Sequence, residues 1–172
     1  MPPSSVISHP PKLGVPWLDA QHAHIVEMSR ETLALDAADR HPVARPALLE
    51  LLRHVAVHFG AEEELMRFVG YPLLAPHVKD HEHLLRRVEG LAQEHLEPGP
   101  LAEALTPLLT VWIARHIAQL DAQLAVFLER HPERLNAYLD QGGSQMLRAS
   151  GEEWEAVDRT PNRGWESTTQ TS

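Results

Sequence analysis

Three pairs of side chains that can bind metals recur along this chain, each spanning little more than one helical turn. The first two pairs have an i,i+4 spacing and the third an i,i+5 spacing: His58 and Glu62, His77 and His81, His116 and Asp121. Residues four apart lie on one face of a helix, so their donor atoms point in the same direction. Imidazole together with carboxylate suits iron, zinc, copper or nickel. The pattern therefore predicts a metal site.

The carboxylate of Glu62 is the most informative of these groups, because it falls on an apolar helix face. On a helix it lies within about 20° of the centre of that face, near Val55, and His58 lies about 60° away. His54 is on the border at about 100°, and Glu64 points to the opposite side. Burying an unpaired carboxylate is costly, so Glu62 is expected to face a cation.

Histidines on the first and third predicted helices can be placed in the same way. His22 lies about 40° from the apolar centre of its helix, whereas His24 lies about 120° away, toward the flank. His77 and His81 both fall on the apolar face of their helix, and His83 points away from it. We therefore expect His22, His77 and His81 to face the interior.

On the fourth predicted helix, His116 faces inward, but the direction of Asp121 depends on the backbone. An ideal α-helix would place Asp121 about 140° from His116. The apolar positions after His116 drift in the same sense, and one inserted residue, a π-bulge, would explain both observations. Regular i,i+4 hydrogen bonds from Trp112 to Leu124 would contradict this hypothesis.

The number of inward ligands indicates two metal ions. A single inward histidine is usually a core residue, but five histidines and two carboxylates from four helices are hard to bury without a shared cation. One zinc takes about four ligands, fewer than this set supplies. Around two six-coordinate ions, these residues with both carboxylates bridging fill nine of twelve positions, and an oxo or hydroxo bridge fills two more. One position would remain open for a small ligand.

The ligand types also indicate which chemistry to expect. Catalytic di-iron bundles use carboxylate-rich sets with Glu-x-x-His motifs, and no such motif falls at an inward position of this chain. A set with more imidazoles and fewer carboxylates favours a less oxidising and more reversible centre. A pair of irons with one open position in a dry pocket therefore predicts dioxygen binding.

Four amphipathic helices must position these residues. We predict them at about residues 18–38, 45–69, 76–96 and 101–130, separated by breaks rich in proline and glycine. Thr106-Pro107 leaves two readings open, a helix that starts at Thr106 or one that is kinked there. Helices of this length with short connections predict an all-α fold, an antiparallel up-down four-helix bundle.

Three segments follow from this organisation. Residues 1–16 are predicted to be an extended N-terminal arm, and residues 17–131 form the bundle. Residues 132–172 are polar, and after a short helical turn at Leu135 to Leu139 we predict a mostly irregular, flexible C-terminal tail. The alternative for this tail is a docking segment for a partner protein, since it carries Trp154 and Trp165.

Composition excludes several other functions. The formal net charge is −9, which is unfavourable for nucleic acid and for anionic membrane surfaces. The absence of cysteine excludes disulfides, thiolate metal sites and cysteine nucleophiles. The sequence shows neither a signal-peptide pattern nor an apolar run long enough to cross a membrane, so we expect a cytoplasmic protein.

Several motifs of the chain, over about residues 14–130, resemble the hemerythrins, and most closely the single-domain bacteriohemerythrins. The matching motifs are Asp19-Ala-Gln21-His22, His58-Phe59 with Glu62, Glu63 and Met66, Tyr71-Pro72, His77 with His81, and Trp112-Ile113 with His116, Ile117 and Asp121. The chain differs from the family in Ala20, where an acid is common, and in its long tail.

The resemblance implies a non-haem di-iron centre, with two iron ions joined by an oxo or hydroxo bridge. By analogy, His77, His81 and His116 would hold one iron, and His22 and His58 the iron with the open position. Glu62 and Asp121 would bridge the two irons. Trp112 and Ile113 match positions that line the family's dioxygen pocket.

The function that the resemblance implies is reversible dioxygen binding, for storage, transport or local delivery, and not enzymatic catalysis. Two alternatives remain open. The same site could sense dioxygen or NO and signal to a partner protein through the tail, or it could dispose of peroxide or NO as an enzyme. Neither nucleic acid nor a membrane is an expected partner.

Overall fold

The computed structural model describes residue 12 and residues 16–37, 41–94 and 107–142, and every regular element in these ranges is a helix. The helices are α1 (Pro16–Ala37), α2 (His41–Val69), α3 (Leu74–Glu94), α4 (107–130) and α5 (Pro132–Asp140). The predicted all-α fold is confirmed, while the up-down order of four helices stays a prediction. The predicted N-terminal arm falls almost entirely outside the described residues.

One apolar core joins the helices. Leu18 and Ile25 of α1 are buried with Leu51 and Leu65 of α2, and Val88 of α3 belongs to the same cluster. Each fully buried side chain of this size contributes about 1.5–3 kcal/mol, so the apolar faces that predicted the helices also hold them together. None of the described helices combines the length and the apolar composition that crossing a lipid bilayer requires.

Helix α2 starts earlier than predicted and ends where predicted. It begins at His41, before the predicted start at Arg45, and includes Pro46. A start at His41 places Pro42 in the first turn, where a missing N–H costs little. At the other end, Gly70 has a φ of +66°. The Tyr71 amide donates to the Met66 carbonyl at 2.9 Å, a helix-ending arrangement that glycine adopts without strain.

Helix α4 is not a regular α-helix. It is π-helical at Pro107–Trp112 and again at Ile117–Asp121, with α-helical turns at Ile113–His116 and Ala122–Arg130. The Ala122 amide donates to the carbonyl of Ile117, five residues back. The π-bulge hypothesis for the segment after His116 is therefore confirmed. The side chain of Asp121 is fully buried beside that of His116. The extra residue in this turn therefore directs Asp121 inward.

Helix α5 corrects the predicted start of the C-terminal tail. The sequence predicts a short helical turn at Leu135 to Leu139, whereas the structure has a helix over Pro132–Asp140, with Pro132 in its first turn. Tyr138 is buried, and Arg134 donates to the Val69 carbonyl at the end of α2 at 2.8 Å. The predicted turn was too short because a short segment with few apolar residues gives little periodicity. Residues 143–172 of the predicted tail lie outside the described residues.

Candidate metal centre

The seven predicted ligand residues come together in the interior of the helical bundle. They come from α1, α2, α3 and α4, and each exposes between 0% and 4% of its surface: His22, His58, Glu62, His77, His81, His116 and Asp121. Ionisable side chains are seldom this buried without a partner of opposite charge. Their distances from one another divide the histidines into two groups.

The three-histidine group consists of His77, His81 and His116. The Nε2 atom of His116 lies 3.2 Å from that of His77 and 3.1 Å from that of His81. Two nitrogens that bind one metal at right angles, each about 2.1 Å from it, lie about 3.0 Å apart, and at tetrahedral angles about 3.4 Å apart. The observed spacings lie between these two values, so these nitrogens suit the ligands of one metal ion.

The two-histidine group consists of His22 and His58, one from α1 and one from α2. Their Nε2 atoms are 3.2 Å apart, and their ring planes are inclined by 79°. This nitrogen spacing equals that of the three-histidine group. The group therefore has the dimensions of a second ion's ligand set, with one imidazole fewer.

The carboxylate of Asp121 lies between the two groups. Its Oδ2 atom is 3.1 Å from Nε2 of His22. Its Oδ1 atom is 3.0 Å from Nε2 of His116 and 3.1 Å from Nε2 of His77. One oxygen thus faces each histidine group, which is the arrangement that a bridging carboxylate requires.

Glu62 is the second buried carboxylate. Its Oε2 atom is 3.3 Å from Nε2 of His81 and 3.5 Å from Nε2 of His77. One donor atom each from Glu62, His77, His81 and His116 lie within 4.8 Å of one another. The choice of Glu62 over Glu64 from helical phasing agrees with its position, since Glu62 is fully buried and Glu64 is exposed.

The electrostatic environment keeps both carboxylates ionised. Burial and Asp121 would each raise the pKa of Glu62, but the approach of the His77 and His81 rings outweighs them and lowers that pKa to about 2. The pKa of Asp121 is also well below its usual value, because nearby imidazoles outweigh the effect of burial. Two negative charges in one interior are stable only beside comparable positive charge.

The two histidine groups differ in how they respond to this charge. Burial lowers the pKa of His77, but its contacts with Asp121 and Glu62 outweigh burial and raise it to about 9. Burial and the neighbouring His22 lower the pKa of His58 to about 3. Without a metal, positive charge would therefore collect on His77 while His58 stays neutral.

The hydrogen-bond partners of the ring nitrogens indicate that these residues fit a bound cation. His81 donates its Nδ1–H to Glu63 at 3.1 Å, and His116 donates to Asp80 at 2.9 Å, because a carboxylate can only accept. In the neutral rings, the two Nε2 lone pairs then face each other at 3.1 Å. These lone pairs repel each other unless a cation lies between them.

The oxygens of the buried carboxylates point to the same conclusion. No oxygen of Glu62 or Asp121 makes a well-formed hydrogen bond within the described ranges. Leaving such oxygens unsatisfied in an interior is costly, whereas metal coordination would satisfy all four. The donor set and its unsatisfied oxygens therefore both fit metal ions.

Three residues that touch the ligand histidines were missed by the sequence prediction. Asp80 and Glu63 accept hydrogen bonds from His116 and His81, and Gln21 accepts from Nδ1 of His58 at 2.7 Å. Asp80 lies on α3 whereas His116 lies on α4, so no spacing along the chain could reveal this contact. Each of the three directly precedes or follows a predicted ligand in the sequence, and Gln21 and Glu63 belong to the motifs that resemble the hemerythrins, but neither signal assigned them these contacts.

A small cavity of about 20 Å³ adjoins the two-histidine group. Its walls include both histidines of that group, His22 and His58, one histidine of the other group, His116, and the apolar side chains of Phe59, Trp112 and Ile113. Both predicted pocket residues, Trp112 and Ile113, thus line it. A space of about 10–15 Å³ on this measure holds one water molecule, so this cavity has room for one very small ligand.

The sequence profile of the Hemerythrin HHE cation binding domain matches residues 13–128, more than half of the chain. The chain belongs to the hemerythrin family. The match spans all seven residues of the buried cluster. The description of the domain as cation-binding agrees with the fit of these residues to metal ions.

Curated relatives of this hemerythrin-family chain are bacteriohemerythrins. The one from Stenotrophomonas maltophilia is 26% identical over 131 residues, which cover 76% of this chain and 86% of the relative. The one from Pseudomonas aeruginosa is 31% identical over 109 residues, 63% of this chain and 71% of the relative. The one from Campylobacter jejuni is 28% identical over 116 residues, covering 65% and 86%. No solved structure matches this chain significantly.

The remaining histidines of the hemerythrin domain that the structure describes lie outside the cluster. His83 is exposed, as predicted. His54, predicted to be borderline, is buried and donates its Nδ1–H to the Glu50 carbonyl at 2.9 Å, as a core histidine does. The ring of His24 is half-buried, 5.3 Å from that of His54.

Proposed function

We propose that this hemerythrin-family protein binds dioxygen reversibly at a pair of irons. The proposed ligands are His77, His81 and His116 for one iron, His22 and His58 for the other, and Glu62 and Asp121 as bridges. The observation that carries the proposal is an asymmetry: both histidines of the two-histidine group line the apolar cavity, whereas His116 alone of the three-histidine group does.

Two ions are supported by the position of Asp121. Its two oxygens approach different histidine groups, Oδ2 the nitrogen of His22 and Oδ1 that of His116. Imidazole and carboxylate without sulfur ligands suit iron. With an oxo or hydroxo bridge, the three-histidine group would be complete, and the two-histidine group would keep one position for a small ligand.

When bound, ferrous ions would supply the electrons that hold dioxygen reversibly. The residues of the chain control what reaches them. Ile113 and Phe59 are buried apolar walls of the cavity, and Trp112 stacks on His116 with ring centroids 4.6 Å apart. Apolar walls exclude water and protons, which would otherwise promote loss of the bound gas as reduced oxygen species.

The experiment that tests this function is repeated oxygenation of the reduced, iron-loaded protein. We expect a visible absorption band that appears with dioxygen and disappears under argon over several cycles. The variant His83→Ala is the matched control, since it removes an exposed histidine from the same helix that carries His77 and His81. It should cycle like the unmodified protein.

Two results would contradict the proposal. A band that bleaches after one cycle while added peroxide is consumed would indicate an enzyme. Stable cycling in the protein with fewer than two irons per chain would rule out the di-iron arrangement. The sensor alternative would require a change in a partner protein that follows oxygenation.

A further inference from the structure

Three of the five ligand histidines donate their second ring nitrogen to a side chain, and the acceptors differ in charge. His116 donates to Asp80 at 2.9 Å and His81 to Glu63 at 3.1 Å, both of which are carboxylates. In contrast, His58 donates to the amide oxygen of Gln21, which is neutral. Within the described ranges, Nδ1 has no hydrogen-bond partner in the remaining two, His22 of the two-histidine group and His77 of the three-histidine group. Negative charge therefore supports only the three-histidine group.

Asp80 is the stronger of the two anionic acceptors. The Oε2 atom of Glu63 also pairs with Arg67 at 2.6 Å, and this cation partly neutralises its charge. Asp80 forms no ion pair with a lysine or arginine in the part of the chain that the structure describes. Its side chain is 21% exposed, so its charge is partly screened but acts directly on the buried ring of His116.

A carboxylate behind an imidazole has two effects on a metal. It fixes the tautomer so that Nε2 carries the lone pair, and it makes that nitrogen a stronger donor. Loss of such a partner typically weakens metal binding by about 10- to 100-fold. A neutral amide fixes the tautomer equally well but strengthens the donor less, because it carries no full charge.

We propose that Asp80 is a positioning residue that makes the three-histidine position the tighter of the two metal positions and the first to fill. The inference rests on the proposed two-metal site but not on dioxygen binding. It assigns an order to metal loading: the first ion enters beside His116, and the second enters beside His58.

The test is a titration of the metal-free protein with Co²⁺ alone, in competition with a chelator. The visible absorption of protein-bound Co²⁺ reports each binding step. We expect two steps in the unmodified protein, the first tighter than the second. Asp80→Asn keeps an acceptor for His116 and removes only the charge, and it should weaken the first step by about 10-fold. Asp80→Ala removes both the acceptor and the charge, and it should weaken the first step further, toward about 100-fold.

The matched control is Glu82→Gln. It removes one negative charge two residues away on the same helix, at an exposed side chain that pairs with Arg86. It should leave both steps unchanged. Asp80→Glu restores the carboxylate and should recover at least part of the affinity of the first step.

A spectroscopic signal distinguishes this role from a merely structural one. With one equivalent of Co²⁺, the exchangeable Nδ1–H of His116 should give a strongly shifted NMR signal, since it lies on a ring bound to a paramagnetic ion. Asp80→Asn should move this signal and speed its exchange with water. Gln21→Glu is the converse variant, and it should tighten the second step selectively.

The outcomes separate the inference from the proposed function. If the unmodified protein binds two Co²⁺ and Asp80→Asn leaves the first step unchanged, the role of Asp80 is wrong and the di-iron proposal stands. If Asp80→Asn weakens both steps equally, the residue serves the fold and not one metal position. If the unmodified protein binds fewer than two Co²⁺, the two-metal arrangement itself is wrong.

Discussion

The two histidine groups of the buried cluster are built from the same side chains but have different surroundings. The three-histidine group has carboxylate acceptors behind His81 and His116. The two-histidine group has a neutral acceptor behind His58, and both of its histidines line the cavity, which the three-histidine group reaches through His116 alone. From these differences we propose that the three-histidine side holds its metal firmly and that the two-histidine side receives the gas.

Asp121 is the carboxylate that reaches both groups, with Oδ2 beside His22 and Oδ1 beside His77 and His116, whereas Glu62 contacts His77 and His81. In the proposed di-iron site, Asp121 would connect two metals of unequal ligand number. The four predictions below test the difference between the groups, beginning with the side chains that both groups share.

The largest effect is expected for Glu62→Gln. Glu62 is fully buried at the centre of the cluster, and an amide oxygen with no charge is a poor substitute for a bridging carboxylate. Iron bound per chain should fall from two to one or less, as measured by elemental analysis after gel filtration. The control is Glu64→Gln on the exposed face of the same helix, which should keep both irons. Full iron content in Glu62→Gln would exclude a bridging role.

A smaller and more selective effect is expected for His22→Ala. Removal of one of two histidines should abolish oxygenation, while the intact three-histidine group still holds one iron. Circular dichroism should report unchanged helix content, because the many other buried residues of the core still hold the helices together. The paired variant His77→Ala should instead release both irons more readily. Equal iron loss in the two variants would contradict the assigned difference between the groups.

The metal-free protein should have a stability maximum near pH 6.5. His77 has a raised pKa of about 9, so the folded state holds its proton while the unfolded state loses it, and stability falls from about pH 6.5 to 9. His58 has a lowered pKa of about 3, so the unfolded state gains a proton first, and stability falls from about pH 6.5 to 3. Each slope is at most about 1.4 kcal/mol per pH unit.

Urea unfolding at a series of pH values would measure these slopes, with the iron-loaded protein as the comparison. Bound iron replaces the protons, so the alkaline slope should disappear. His77→Gln should reduce the same slope in the metal-free protein and not abolish it, because contacts with Glu62 and Glu63 also raise the pKa of His81. If the metal-free protein gains stability from pH 7 to 9, the proton assigned to His77 is absent.

The smallest effect concerns the cavity wall. Ile113→Thr places a hydroxyl in a wall that is otherwise apolar, and the gas-bound form should lose its dioxygen by autoxidation several times faster. The decay of the visible band in air measures this rate. Val111→Thr makes a comparable change at a side chain that is 65% exposed, and it should leave the rate unaltered. An unchanged rate in Ile113→Thr would remove its assigned role.

Helical periodicity was enough to predict most of the site, because most of its ligands lie on regular α-helix. His58, Glu62, His77 and His81 follow the apolar faces of α2 and α3, so about 100° per residue placed them correctly. The inward direction of Asp121 could not be predicted from regular periodicity, since a regular α-helix would have turned its side chain away from His116. The drift of the apolar positions was the sequence signal for the π-helical turn that brings it back.

Contacts between helices could not be predicted in this way. The pairing of Asp80 with His116 depends on how α3 lies against α4, and the spacing of residues along one helix contains no such information. The early start of α2 and the full length of α5 were missed for another reason. Short segments that contain proline or few apolar residues are formed by packing against neighbours more than by their own pattern.

The central claim is that one dioxygen is held reversibly by two irons, and gas uptake tests it most directly. Reduced protein of known iron content is exposed to a measured amount of dioxygen and then purged with argon. We predict one dioxygen taken up per two irons and nearly all of it released unchanged. Uptake that is consumed without release, or that occurs in protein with a single iron per chain, would contradict the claim.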